Sequence, residues 1–259
     1  MKKVLTIAGS DCSGGAGIQA DIKTITAHKM YAMSAITALT AQNTTGVYGV
    51  LEATPYFVGQ QLDSIFTDIV PDAVKIGMLS NAGIIEVVAE KLREYEAKNI
   101  VLDPVMIATS GGKLIDDSAI ESLKTKLMPL ANIITPNIPE AESLSGITID
   151  TPEQMVEAAE ILSEKIPGYI LIKGGHLNKT ADDLLYKNKE AVWFTSPRIE
   201  NPNTHGTGCT LSSAIACNLA QGYEVKVAVE NAKAYITGAL KAQLDLGQGS
   251  GPLNHCYNL

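Results

Sequence analysis

A chain of 259 residues that is 46% hydrophobic and 19% charged has the balance of a globular protein rather than a disordered one, and at this length an α/β chain is expected to form one domain. Its formal net charge of -8, with no Lys/Arg cluster beyond Lys2-Lys3, excludes a nucleic-acid partner and leaves a small molecule, phosphates included, since helix N-termini and one or two lysines suffice to hold an anion. No apolar run approaches the ~20 residues that cross a bilayer, so no membrane association is expected.

Residues 4–8 are too short for a secretory leader. Cys12, Cys209, Cys217 and Cys256 are scattered, with no CxxC pair and no metal-ligand spacing to the histidines, and read as reduced thiols of a cytoplasmic protein. Strands are expected at residues 4–8, 35–39, 73–76, 100–102, 133–135 and 169–172, each bounded by Gly, Pro, Asp or Asn. Between them apolar residues recur at three and four: Ile18, Ile22 and Ile25; Ile85, Val88, Leu92 and Tyr95; Ile120, Leu123, Leu127 and Leu130; Met155, Ala159 and Leu162. That spacing lines one face of a helix. Strands alternating with amphipathic helices give a mostly parallel sheet covered on both faces. Residues 182–186 and 191–195, joined by the polar turn 187–189, interrupt the alternation as a β-hairpin at one edge. Beyond it the pattern is helical, through Leu211, Ile215 and Leu219 and then from Val225 to Leu244.

Ligands of such sheets collect beyond the carboxyl ends of the strands, which directs attention to the loops. Residues 9–17 are rich in glycine, and their N–H groups can approach an anion or a polar ring. Gly15-x-Gly17-x-x-Ala20 formally fits a dinucleotide fingerprint, but residues 10–14 make the turn too long and no acidic residue ends the second strand; no Walker lysine follows either. By itself this loop reads equally as a turn. The sharper signal is His205-Gly206-Thr207-Gly208-Cys209-Thr210, immediately before a helical run. Glycines at a helix mouth leave several N–H groups aimed at one spot, reinforced by the macrodipole; the competing reading is an ordinary N-cap with Thr207 or Thr210 as the capping hydroxyl. Four further loops, Lys75-Ile76-Gly77-Met78, Asp103-Pro104-Val105-Met106, Thr135-Pro136-Asn137 continuing to Glu140, and Lys173-Gly174-Gly175-His176, bring acids, an amide and lysines to the same end of the sheet, a set suited to a Mg²⁺-chelated polyphosphate. The histidines, His28, His176, His205 and His255, have no partner spacing and read as capping or surface residues.

With these segments in order from Ile7-Ala8-Gly9-Ser10-Asp11 through Thr37 to Thr44, Lys75 to Leu79 and the Gly-Thr-Gly-Cys loop to Gly249-Ser250-Gly251-Pro252-Leu253-Asn254-His255, the chain resembles, nearly end to end, the hydroxymethylpyrimidine/phosphomethylpyrimidine kinases of thiamine biosynthesis, in the ribokinase-like superfamily. The resemblance implies a ribokinase-like three-layer α/β sandwich, ATP and Mg²⁺, and a homodimer. It further implies that Asp21 and Gln42 read an aminopyrimidine with Gly9, Met78 and Val105 along the ring; that Lys173, Asn137 and Thr135 serve the nucleotide; that Asp103 and Glu140 hold Mg²⁺ through water; and that Gly206, Thr207, Gly208 and Cys209 form the catalytic loop. A pyridoxal kinase of the same fold is the nearest competing reading, against which Gln42 favours the pyrimidine; a non-catalytic sensor is the other, opposed by the intact loop set.

Many members of the wider superfamily carry Asp where this chain has Cys209. Phosphoryl transfer depends more on positioning and electrostatics than on a strong base, and a thiol at a helix N-terminus is expected to have its pKa lowered. A neutral cysteine would also spare a phosphate acceptor the repulsion of a carboxylate, allowing one pocket to phosphorylate first an alcohol and then the resulting phosphomonoester.

Overall fold

The computed structural model describes residues 1–106, 115–175, 182–196 and 199–259. In chain order these form β1 (Lys3–Asp11), α1 (Gly17–Ala27), β2 (Tyr31–Asn43), β3 (Gly46–Glu52), α2 (Pro55–Phe66), β4 (Ala73–Ile76), α3 (Ala82–Glu94), β5 (Ile100–Leu102), α4 (Asp117–Ser122), β6 (Ile133–Ile134), α5 (Ile138–Ser145), α6 (Pro152–Ser163), β7 (Tyr169–Ile172), β8 (Asp183–Lys187), β9 (Glu190–Phe194), α7 (Thr207–Gln221) and α8 (Val225–Lys241). The strands build one sheet in the order β3-β2-β1-β4-β5-β6-β7-β8-β9. From β2 to β7 all neighbours are parallel, and β3 at one edge and β8 and β9 at the other are antiparallel.

Alternation along the strands sorts their side chains onto two faces. Leu5, Ile7, Val74, Ile76, Ile100, Leu102, Ile134, Ile170 and Ile172 pack into a core with α2, α3, α5 and α6. Their neighbours Val4, Ala73, Val101, Ile133 and Leu171 pack on the opposite face against α7, α8 and the end of α1. The result is the helix–sheet–helix sandwich expected from the sequence.

The hairpin lies where the pattern broke, and both Asn188 (φ 52) and Lys189 (φ 65) take the left-handed backbone of a tight two-residue turn. Other elements were not anticipated. β2 runs on through residues 40–43, past its apolar run, because β3 offers it an antiparallel partner, pairing Gln42 with Val47 and Asn43 with Gly46. Helix α2 starts from a Thr54 cap with Pro55 in its first turn, and buries Val58, Leu62 and Phe66 at four-residue spacing. In α5 a capping box formed by Asn137 and Glu140 nucleates a short helix.

Candidate active site

The period-two pattern that sorts the core also sorts the chemistry. Thr6 and Lys75 are register partners on β1 and β4; they share the α7 face with Val4 and Ala73, two residues before each of them. Asp103, Thr135 and Lys173 continue the same face two residues beyond Val101, Ile133 and Leu171. Polar groups from five adjacent strands thus converge under one helix mouth.

That mouth is opened by Gly206, whose φ of 84° suits glycine alone, and where a side chain would run into the Gly15 carbonyl. A Cβ built on Gly208 would lie 3.3 Å from Asp103 Oδ2 and 3.3 Å from Lys173 Nζ, so the glycine loop abuts the Asp103 and Lys173 loops. Lys173 Nζ bonds Asp103 Oδ1 at 2.9 Å, and burial, which lowers the lysine pKa, is outweighed by Asp103 and Glu140, which raise it. The lysine is a fixed cation. Cys209 is half-buried in the first turn of α7. Its thiol is not acidified as expected: burial, with help from Asp21 and Asp103, pushes it up to about 11, overcoming Lys75 and the Gly17 N–H that act in the other direction. At neutral pH the sulfur carries its proton.

Three expectations are corrected. Asp21 does not face a ligand. It is fully buried, its carboxylate bonds Lys75 Nζ at 2.9 Å through each oxygen, and it accepts from Thr6 Oγ1 (2.6 Å) and Ser213 Oγ (2.7 Å). With four hydrogen bonds, from three donor groups, on its two oxygens it has no capacity left for an exocyclic amine. Lys75, in turn, is no phosphate ligand: it lies within β4 with no exposed surface, and Asp21 holds its proton against the lowering effect of burial. Thr135 is likewise fully buried and donates to Asp103 Oδ1 at 3.1 Å, so it orients that carboxylate rather than a nucleotide.

Beside Asp103, Asn137 Oδ1 accepts from the Glu140 N–H (2.9 Å) and Glu140 Oε2 accepts from the Asn137 N–H (2.8 Å). Among the described residues the Asn137 amide nitrogen makes no hydrogen bond, and Asn137 is only half-buried. Burial pushes the Glu140 carboxyl up to about 7, with Asp103 adding to the rise and Lys173 opposing it. Two neighbouring carboxylates, Asp103 with Oδ1 taken by Thr135 and Lys173 and Glu140 receiving the Asn137 and Met106 N–H groups, match the donor set of a magnesium ion that keeps most of its waters and takes further oxygens from phosphate. No cluster of three or more His, Cys, Asp or Glu that would hold a metal unaided occurs among the described residues.

On the amino-terminal side, Gly9 and Met78 touch: a Cβ on Gly9 would meet Met78 Sδ at 3.0 Å. Thr37 Oγ1 fixes the Met78 carbonyl at 2.8 Å. Val105 is half-buried just past Asp103, its N–H on the Asp103 carbonyl. Thr207 begins α7, and its N–H bonds the Thr204 carbonyl. Gln42 is half-buried and lines a cleft of about 370 Å³ with Asn43, Thr44, His205, Gly249 and Ser250.

Sequence reasoning missed two partners here. Asp11 Oδ2 bonds His205 Nε2 at 2.8 Å and accepts from the Gly15 (3.1 Å) and Ala16 (2.8 Å) N–H groups, while Oδ1 takes the Ser13 N–H and hydroxyl. Burial alone would raise this carboxyl, but the bonds from His205, Ser13 and Ala16 hold it at about 2. His205 is therefore no surface residue; it is buried and ties the first glycine loop to the last. His176 lies outside the described residues.

Comparison with known proteins gives this arrangement a context. The family model described as phosphomethylpyrimidine kinase matches residues 11–254. A hydroxymethylpyrimidine/phosphomethylpyrimidine kinase of Streptomyces coelicolor is 48% identical over 99% of this chain and 95% of its own. The thiamine biosynthesis bifunctional protein ThiED of Geobacter sulfurreducens is 51% identical over 97% of this chain, which spans about half (52%) of that longer protein. Among solved structures, the pyridoxal kinase of Staphylococcus aureus in complex with AMP-PCP superposes with a TM-score of 0.92 at 35% identity, covering 100% of this chain and 94% of that one. With its ribokinase-like sandwich and its glycine-opened helix set against Asp103 and Lys173, the chain belongs to the phosphomethylpyrimidine kinase family.

Proposed function

We propose that this chain forms one kinase domain that transfers the γ-phosphoryl group of ATP to the hydroxymethyl oxygen of 4-amino-5-hydroxymethyl-2-methylpyrimidine, and then to a phosphate oxygen of the resulting monophosphate. The observation that carries the reading is the meeting of the α7 mouth with the Asp103–Lys173 pair. The N–H groups of Gly208 and Cys209, opened by Gly206, cradle the phosphoryl group as charge shifts from the leaving oxygen to the acceptor. Lys173 and the Asn137 amide hold the nucleotide phosphates. Asp103 and Glu140 would hold Mg²⁺ through its waters, and the ion when bound offsets charge on the phosphate oxygens. Gln42 reads the pyrimidine, and Gly9, Met78 and Val105 lie along its ring.

The protonated Cys209 sulfur suits both steps. It leaves the acceptor oxygen unrepelled when that oxygen belongs to a phosphate dianion, which a carboxylate in its place would not. The acceptor alcohol of the first step loses its proton late, to an oxygen of the transferring phosphoryl group or to water, as positioning and electrostatics do most of the work.

The exposed apolar pair Leu39 and Leu51, register partners on the β2–β3 edge and 50% and 69% exposed, supports a homodimer through this edge, to be checked by light scattering. Four free cysteines accord with the reducing cytoplasm. Mass spectrometry of products from the purified protein with Mg-ATP and the hydroxymethylpyrimidine tests the whole reading: a diphosphate is expected, and faster turnover of pyridoxal would overturn the substrate assignment.

A further inference from the structure

The side-chain amide of Gln42 lies between two groups of fixed hydrogen-bonding sense. On one side is His205 Nε2, 3.3 Å from Gln42 Nε2. On the other is Thr40 Oγ1, 3.1 Å from Gln42 Oε1. His205 Nε2 also lies 2.8 Å from Asp11 Oδ2, a carboxylate that already receives the Ser13, Gly15 and Ala16 N–H groups and the Ser13 hydroxyl. An acceptor so loaded has only lone pairs to offer, so Nε2 must carry the imidazole proton whatever the charge on the ring. A glutamine nitrogen opposite it would set donor against donor.

The same conflict appears at the other end. Thr40 has one hydroxyl proton, and the Ser10 carbonyl lies 3.0 Å from its oxygen. With that proton given to Ser10, Thr40 can only accept. Both conflicts vanish together if the amide nitrogen faces Thr40 and the amide oxygen faces His205, where it becomes the second, longer acceptor of the one Nε2 proton that Asp11 already receives. The ends of a glutamine amide are told apart only by such networks.

We infer that Asp11 and His205 form a positioning relay that locks the Gln42 amide, with its oxygen toward His205 and its nitrogen toward Thr40, and thereby sets which edge of a substrate ring the protein accepts. In that orientation one N–H and one oxygen lone pair remain. They match a ring nitrogen next to an exocyclic amine, and the locked amide cannot turn over to accept the reversed pattern. His205 touches no reacting atom in this scheme; it acts through Gln42. The inference rests on the proposed reading of the pyrimidine by Gln42.

A mutant cycle separates the two ideas. His205→Leu, which removes the donor, raises the pyrimidine KM roughly tenfold or more, the size expected when a binding hydrogen bond is lost, and leaves the ATP KM within about twofold. His205→Gln, which returns an N–H near the same point, recovers most of that loss. In combination with Gln42→Ala the histidine substitution adds nothing further. Should His205→Leu fail to fold, Thr40→Val against Thr40→Ser asks the same question from the nitrogen side, and the valine is expected to show the loss. Losses that add in the double variant, or a fall in kcat with unchanged pyrimidine KM, overturn the relay while leaving the role of Gln42 standing. A Gln42→Ala protein with an unaltered pyrimidine KM overturns ring reading and the relay with it.

Discussion

The Lys75 ammonium lies 2.9 Å from each carboxylate oxygen of Asp21, and neither side chain has any exposed surface. Around this pair Thr6 brings in β1, Lys75 brings in β4, Ser213 brings in α7, and Asp21 itself stands on α1. Ser213 follows Cys209 by one helical turn, so the carboxylate also fixes the rotation of the helix whose mouth forms the anion site.

Removing one member of a buried ion pair leaves the other charge uncompensated in a dry site. Asp21→Asn is therefore expected to cost about 3–5 kcal/mol of folding stability, read as a lower midpoint in urea with an unchanged slope. A variant with the wild-type midpoint and a raised pyrimidine KM would return Asp21 to the substrate.

At position 209 the expected outcome divides the two phosphorylations. An aspartate about 4 Å from a phosphate oxygen repels it by ~1 kcal/mol in water and several times more in a drier pocket, so Cys209→Asp should slow the second step by roughly fivefold or more beyond any loss in the first. Single-turnover measurements on the alcohol and on the monophosphate decide the matter, and equal losses in both steps would reduce the sulfur to packing. The alkaline side gives an independent check. Because the folded thiol titrates at about 11, above the ordinary cysteine value of 9.0, its contribution to stability is intact below pH 9 and is lost as pH rises toward 11; Cys209→Ala should flatten that decline.

What could be read from residue order was whatever is written locally. The short apolar, β-branched runs at residues 4–8, 73–76 and 169–172 announce strands, and the glycines of residues 206–208 announce a helix mouth. Pairings between distant residues left no such trace. The partners of Asp21 lie on other elements, as far off as Ser213, 192 residues away in sequence, and His205 finds Asp11 across 194 residues. A carboxylate that is saturated from within the fold and one that waits for a ligand look alike in sequence; burial alone distinguishes them. β3 was missed for a different reason: its residues are exposed or only half-buried, so no buried face imposed the clean alternation by which strands are recognised.

Two glycine positions on either side of Thr207 separate backbone geometry from chemistry. Gly206→Ala must strain a residue at φ 84° and push against the Gly15 carbonyl, so it should destabilise the protein by at least ~1 kcal/mol. Gly208→Ala sits inside α7 with its new methyl 3.3 Å from Asp103 Oδ2 and Lys173 Nζ; helix propensity favours it, yet the methyl occupies space needed by the transferring group. Its unfolding midpoint should hold or rise while kcat falls roughly 10- to 100-fold. A fully active Gly208→Ala enzyme would move the phosphoryl site away from this mouth.

Glu140 supplies the pH test. Burial raises its carboxyl to about 7, above the unfolded value, so its effect on stability runs one way: the group folds most readily when protonated, and stability drains as pH rises from about 4.5 toward 7. Activity should run the other way if the ionised carboxylate orders a metal's waters. The kcat/KM for ATP is expected to climb through about pH 7, and added Mg²⁺ should shift that rise to lower pH, because a cation favours the ionised form. Glu140→Gln isolates the charge, since glutamine can still accept the Asn137 N–H and keep the capping box that starts α5. The variant should fold as well as the parent and lose both the inflection and its Mg²⁺ dependence. An inflection that survives in Glu140→Gln, or one indifferent to Mg²⁺, would leave Glu140 as a helix cap alone.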